Sequence, residues 1–253
     1  MTMNIMVCVK RVPMTGGRIT LTPDEQAVDT RMAGFTVSPH EECAVEEAVR
    51  IVEARGGRAT VLTLGPPEAT EQLRDAMALG IERAILLETD GRDWDPGATA
   101  DAIVEAIRAD GTGFDLLLFG NEAADTGDYQ VGVRVAYALD LPCVTGVKAL
   151  EIKAGSLVAK REMAGGWETF EVPLPAVVTV KEGINLPRYP SLPGRIKAKK
   201  REITRGQPPW RDAGLEKVRL RLPREARHTV EVLGRGREAV PKVVDLLQHL
   251  GLV

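Results

Sequence analysis

Aromatic residues make up only 4% of this 253-residue chain. That is too few for the stacking platforms on which single-stranded nucleic acid lies. The three cysteines, Cys8, Cys43 and Cys143, are widely spaced and form no C-x-x-C, which excludes a disulfide framework or a zinc finger and suits a reducing compartment. His40, His228 and His249 are scattered, with neither ligand spacing nor a nucleophile elbow, so no catalytic constellation and no metal site is predicted. His228 and His249 read as surface residues. A net charge of −3 argues against a surface built for nucleic acid. No apolar run approaches the roughly 20 residues of a membrane span, and the start MTMNIMVCVKRVP lacks the layout of a signal peptide. The expectation is a cytoplasmic protein, or one of a mitochondrial-matrix-type compartment, with no membrane insertion and no nucleic-acid partner. Neither a Walker lysine motif nor G-x-G-x-x-G follows the first apolar run, so P-loop and standard dinucleotide-fold chemistry are disfavoured.

What is present is alternation. Short, nearly continuous apolar runs at 4–9, 59–64, 83–87 and 114–119 have the signature of parallel strands covered on both faces. Amphipathic stretches at 41–54, 68–79, 98–109 and 128–139 lie between and after them. In the first, Ala44, Val45, Ala48, Val49 and Val52 share one face, while Glu46 and Glu47 read as a solvated side. Strand–helix alternation implies right-handed crossovers and an α/β fold, a doubly wound parallel sheet of the Rossmann or flavodoxin-like type. Runs at 157–160 and 168–172, around Ala164-Gly165-Gly166, predict an antiparallel hairpin, and AVVTV at 176–180 a further buried strand.

From Lys181 the composition changes. Residues 181–205 carry eight Lys or Arg against two Glu, with Pro187, Pro190 and Pro193, and such a segment cannot bury enough apolar surface alone. The division predicted is a domain over 1–180 and, over 181–253, a docking loop and extended C-terminal arm that needs something to lie against. The arm closes in an amphipathic helix over 239–250, with Pro241 in its first turn.

The most informative loop is Gly120-Asn121-Glu122-Ala123-Ala124-Asp125-Thr126-Gly127-Asp128-Tyr129-Gln130, between the strand FDLLLF and a helix. Ligands of open α/β sheets sit at the carboxyl ends of strands, where helix N-termini offer free N–H groups to anions. Asp125 and Thr126 read as N-caps and Gly127 as a point of close backbone approach. A capped helix without a ligand fits the same residues. Glu122, Asp125 and Asp128 would repel phosphate unless turned away. Cys8-Val9-Lys10 and Leu64-Gly65-Pro66-Pro67 should end their strands at the same edge. The run Arg195–Arg201 reads as a solvated charge run or a contact for an acidic protein. Leu192, flanked by Pro190 and Pro193, reads either as a docking knob of low entropy cost or as part of a rigid linker.

These segments together resemble the β subunit of electron transfer flavoproteins over residues 3 to about 205. Val7-Cys8-Val9-Lys10-Arg11-Val12-Pro13 looks like that family's opening strand. Ser38-Pro39-His40-Glu41-Glu42-Cys43-Ala44-Val45-Glu46-Glu47-Ala48 is similar to its N-P-x-x-x-x-A-V-E-E-A segment, with Ser38 in place of Asn. Val158 to Glu162, Gly165-Gly166-Trp167-Glu168 and Leu174 to Thr179 match its signature, with Met163-Ala164 where an acidic or Ile-Asp pair is common. Asn185 to Pro193 and Lys197-Ala198-Lys199-Lys200 look like its recognition loop and basic tail.

The resemblance implies an adenine-nucleotide-binding fold in a heterodimer with an α subunit that holds most of the redox FAD site. It implies AMP held structurally in this chain, at Cys8, Ser38, Pro39, His40, Glu41, Leu64 and Gly120 through Val131. Flavin dehydrogenases of acyl-CoA type would dock at Tyr189, Leu192, Pro193, Arg195, Lys197, Lys199 and Lys200, with Arg188 adding to electrostatic steering, and a quinone reductase or similar acceptor would follow. The terminal helix would pack on the α subunit. On this reading the chain is an electron-carrier subunit and not an enzyme. Two alternatives stay open. In an electron-bifurcating member a second FAD replaces AMP and reaches toward Met14-Thr15-Gly16-Gly17; otherwise the chain is a stand-alone adenine-nucleotide-binding module.

Overall fold

The computed structural model describes residues 2–14, 16, 19–211, 214–215, 217–223 and 230–253. His228, Thr15 and Gly17 lie outside these. The apolar runs form parallel strands: β1 (Met3–Cys8), then, after the two-residue strands β2 (Val12–Pro13) and β3 (Phe35–Thr36), β4 (Gly57–Gly65), β5 (Arg83–Glu88) and β6 (Leu116–Gly120). Between and after them come α1 (Pro39–Arg55), α2 (Thr70–Ala78), α3 (Pro96–Asp110) and α4 (Val131–Ala138). β7 (Cys143–Ile152), β8 (Ser156–Met163), β9 (Gly166–Pro173) and β10 (Ala176–Val180) follow, then α5 (Leu192–Lys200), β11 (Thr204–Gly206) and α6 (Val240–His249).

Nine strands make one sheet in the order β11-β5-β4-β1-β6-β10-β7-β8-β9, and β2 pairs antiparallel with β3 outside it. All neighbours from β11 to β7 run parallel; β7-β8 and β8-β9 are antiparallel. This is the doubly wound α/β class with a small antiparallel addition. Alternate residues of each strand feed opposite cores. Ile5 and Val7 join Val45, Val49 and Leu73 beneath α1 and α2. Met6 and Cys8 join Ile103 and Val135 beneath α3 and α4. The chain winds from β1 outward through β4 to β5, then crosses back to place β6 on the other side of β1. The crevice between the carboxyl ends of β1 and β6 is therefore the point where the winding reverses, where open sheets place ligands.

The structure departs from the sequence reading in four places. β7 went unread because Thr145, Gly146, Lys148 and Glu151 interrupt its apolar pattern. The strand is only half covered, and it is irregular beside Gly146, whose φ is +68°.

The second departure is α4, which begins at Val131 and not at Asp128, with Gln130 at the N-cap position, its side chain making no capping bond. Gly127 and Tyr129, at φ +57° and +56°, turn the chain in the left-handed region before the helix starts. Asp125 and Thr126 are thus loop residues and not caps.

Third, residues 181–206 lie against this chain's own domain. β11 adds to the sheet beside β5, and Ala198 of α5 is buried in the core under α2. A Cβ on Gly194 would stand 2.4 Å from the Ala78 carbonyl oxygen, so the two helices meet backbone to backbone. Residues 186–188 are tied to α1 through Arg188. Composition showed a polar, basic segment; the small residues that give it a seat are not a compositional signal.

Fourth, Glu46 is no solvated residue. It is 1% exposed and accepts from Arg50 at 2.7 Å and from Arg188 Nε at 2.9 Å, while Glu47 accepts from Asn185 at 2.9 Å. Arg188 bonds Glu53 as well, so its charge is matched twice and not free for steering.

The helix at the C-terminus is α6, one residue from its expected start. Val240, Val243, Val244 and Leu246 are exposed, and no residue of α6 is buried.

Candidate functional site

Three segments converge on the crevice: the chain leaving β1, the N-terminus of α1, and the loop from Gly120 to Gln130. Their hub is Glu41, at 5% exposure. Its Oε1 accepts from the Lys10 amide at 3.0 Å and its Oε2 from the Ser38 amide at 3.1 Å. The second bond is one half of a capping box, and Ser38-Pro39-His40-Glu41 carries that S-x-x-E signature. Gly120 lies against the same side chain, since a Cβ there would fall 2.6 Å from Glu41 Cγ. Ser38 is fully buried, and its hydroxyl donates to the Glu122 carbonyl at 3.4 Å. Burial raises the pKa of Glu41 to about 7 against the lowering effect of its hydrogen bonds and of Lys10. Burial, together with the Glu41 charge, raises that of Cys8 far above the thiol range, so Cys8 is an inert side chain in the wall and not a nucleophile.

Two of the loop's three acidic residues, Asp125 and Glu122, are engaged by side chains. Lys10 Nζ lies 2.7 Å from Asp125. His40 Nδ1 accepts from the Glu182 amide at 2.7 Å, which leaves the ring proton on Nε2, 3.3 Å from Glu122. Tyr129 also hydrogen-bonds Glu122, which raises the phenol pKa. Beyond Gly120 the loop is tied to the sheet. Asn121 N donates to the Val180 carbonyl at 2.8 Å, and Thr179 Oγ1 donates to Asn121 Oδ1 at 2.8 Å. Gly132, with Thr179 and Phe119 closing on its α-carbon, brings α4 down onto the sheet end.

The residues expected at a nucleotide therefore share one edge: Cys8 ends β1, Leu64 nearly ends β4, Ser38 to Glu41 open α1, and Gly120 to Val131 fill the loop after β6. The docking residues stand apart, on and before α5, outside α2. Tyr189 is 96% exposed and Leu192 71%; Leu192 is the first residue of a helix capped by Ser191, whose Oγ accepts from Gly194 at 3.1 Å. Arg195, Lys197, Lys199 and Lys200 are exposed. Sequence reasoning missed the Lys10–Asp125 and His40–Glu122 pairs, because separations of 115 and 82 residues leave no local signal. The S-x-x-E spacing of Ser38 and Glu41 is the local signal that could have given the capping box, and the sequence reading did not use it. Among the described residues no cluster of His, Cys, Asp or Glu has the makings of a metal site, and no helix is long and apolar enough to cross a membrane.

The family model described as electron transfer flavoprotein domain matches residues 27–209. The chain is 37% identical over 201 residues to the electron transfer flavoprotein subunit beta of Bacillus subtilis, covering 79% of this chain and 77% of that one. It is 38% identical over 209 residues to the subunit of the same name from Mycobacterium tuberculosis, with the same coverage. The Bradyrhizobium diazoefficiens subunit of that name is 33% identical over 249 residues, 97% of this chain and 95% of its own length. With the switch-point crevice and the ordered motifs in place, these likenesses show that the chain belongs to the electron transfer flavoprotein family, among its β subunits.

Proposed function

We propose that this chain is the β subunit of a heterodimeric electron carrier and holds AMP in the crevice between β1 and β6 as a structural ligand. The observation that carries this is the loop after β6, two of whose carboxylates are already engaged by side chains of this chain. Lys10 and His40 occupy the carboxylates of Asp125 and Glu122, and α4 starts behind them without a side-chain cap. A helix N-terminus that no side chain caps favours a phosphate. The residues fit the group on a second count: Gly120 and Gly132 bring backbone against Glu41 and Thr179 with no room for a Cβ, which draws the loop and α4 close around the crevice.

FAD, held mainly by the α subunit, would supply the redox chemistry of accepting and releasing electrons singly or in pairs. This chain's part is to bind, orient and dock. Leu192, projecting from the first turn of α5 beside exposed lysines, would seat in an apolar pocket on an acyl-CoA-type or other flavin dehydrogenase, and electrons would pass on to a quinone reductase or similar acceptor. The test is chromatography of the nucleotides released when the complex, purified with its natural partner, is denatured. Equal amounts of FAD and AMP are expected. Two FAD and no AMP would replace this reading with a bifurcating one, and a flavin-free chain that binds ATP would replace it with a stand-alone nucleotide module.

A further inference from the structure

Among the described residues Glu41 is the one buried carboxylate at the crevice, and each of its oxygens accepts from a backbone N–H group, the two coming from segments 28 residues apart, at Lys10 and Ser38. A side chain so placed directs both oxygens at this chain's own backbone. It also backs Gly120, the residue from which the loop after β6 departs. We propose that Glu41 is the positioning residue of the nucleotide crevice, a clip whose two carboxylate oxygens hold the β1 exit, the start of α1 and the β6 exit in register, so that nucleotide retention depends on its ionised form. This rests on the nucleotide reading above.

The chemistry is that of acceptor count. An ionised carboxylate accepts both N–H bonds; a protonated one carries an O–H in place of one acceptor and confronts an amide N–H with it. The groups that face it are the Cys8 thiol of β1, the Lys10 ammonium and, from the loop after β6, Glu122 and Asp125 with their partners His40 and Lys10. Burial raises the Glu41 pKa to about 7, so the clip titrates near neutrality. The sign is as follows. Because the folded pKa lies above the unfolded one, protonation favours the folded chain overall, and this contribution is lost as pH rises through 7. The clip itself behaves oppositely: its second bond is complete above that pH and is lost below it.

The experiment is nucleotide release from the complex of the full chain with its partner, followed from pH 6 to pH 8. Wild type is expected to release nucleotide about ten-fold faster at pH 6 than at pH 8, the effect of one charge-assisted hydrogen bond. Glu41→Gln, which presents a single acceptor at every pH, should release it quickly throughout with a flat profile. Glu41→Asp, which keeps both oxygens, should restore a slope. An unchanged rate in Glu41→Gln overturns the proposal, and so does a slope that survives it.

Exchange of the Lys10 and Ser38 amides gives a readout that needs no nucleotide. In wild type both should be protected at pH 8 and, after correction for intrinsic rate, about ten-fold less so at pH 6. Equal protection in wild type and Glu41→Gln overturns the clip. A wild-type complex without nucleotide defeats the nucleotide reading alone, and these amides still decide the role of Glu41. Should Glu41→Gln fail to assemble, Gly120→Ala presses on the same side chain from the β6 side and should raise the release rate with Glu41 intact; a rate equal to wild type overturns the proposal.

Discussion

Arg188 shows how one side chain can fix a loop. Its guanidinium bonds both oxygens of the buried Glu46 and both of Glu53, which raises the pKa of Arg188 still further. Burial alone would raise that of Glu46, yet the bonds from Arg188 and Arg50 outweigh it and leave it lowered. Arg188→Ala would leave Glu46 buried with Arg50 alone, and denaturant unfolding should show a loss of about 2–4 kcal/mol. Because the folded pKa of Glu46 is lowered, that stabilisation is present above the unfolded pKa and disappears as pH falls through the folded one. The penalty of Arg188→Ala should therefore be full at pH 7 and shrink in acid, and a penalty independent of pH would place its origin outside this network. None of this was readable locally: Glu46-Glu47 on a helix looks like a solvated pair, and the arginine that buries it comes 142 residues later.

The same separation between local pattern and distant seat governs α5. Its basic composition reads as an unsupported arm, yet Gly194 and Ala198 set it onto α2, and Arg201 Nη1 donates to the Ile81 carbonyl at 2.6 Å. Gly194→Ala forces the helices apart, with an expected loss of about 1–3 kcal/mol in unfolding measurements. Leu192→Ala, at a side chain mostly in solvent, should leave stability within about 0.5 kcal/mol. On the docking proposal it slows electron transfer from the dehydrogenase with FAD content unchanged; an unaltered transfer rate removes Leu192 from the docking site. Together the two variants separate a helix that must be seated from a side chain that must be free.

Taken as a molecule, the chain is closed at its core and open at its end. α6 carries an apolar face of Val240, Val243, Val244 and Leu246, and none of its residues is buried. Burying such a face is what makes a short helix stable, so the proposed α subunit is its natural cover. Deleting residues 236–253 should move Tm by no more than about 2 °C and yet weaken assembly with the partner in size-exclusion chromatography; full assembly would exclude α6 from the interface. The exposed Lys197, Lys199 and Lys200 lie outside the ion pairs of the described residues. Docking to an acidic surface should therefore slow several-fold as ionic strength rises past about 0.1 M, where the Debye length is about 10 Å. A salt-independent transfer rate would remove the steering role.

Strand–helix alternation, and with it the parallel sheet, follows from continuous apolar runs and helical periods written along residues 3–139, since burial on one or both faces of an element is a local pattern; the order of the strands came only from the structure. The carboxyl-edge loops were legible for the same reason, as strand ends followed by Gly, Ser and Asp. Position in space was not. Whether Asp125 caps a helix or pairs with Lys10, whether Glu46 is wet or buried, and whether residues 181–206 hang free or lie on α2 depend on partners more than 100 residues away. Charge and burial are properties of the assembled neighbourhood, and they become defined only when the sheet has closed and brought those partners within hydrogen-bonding distance.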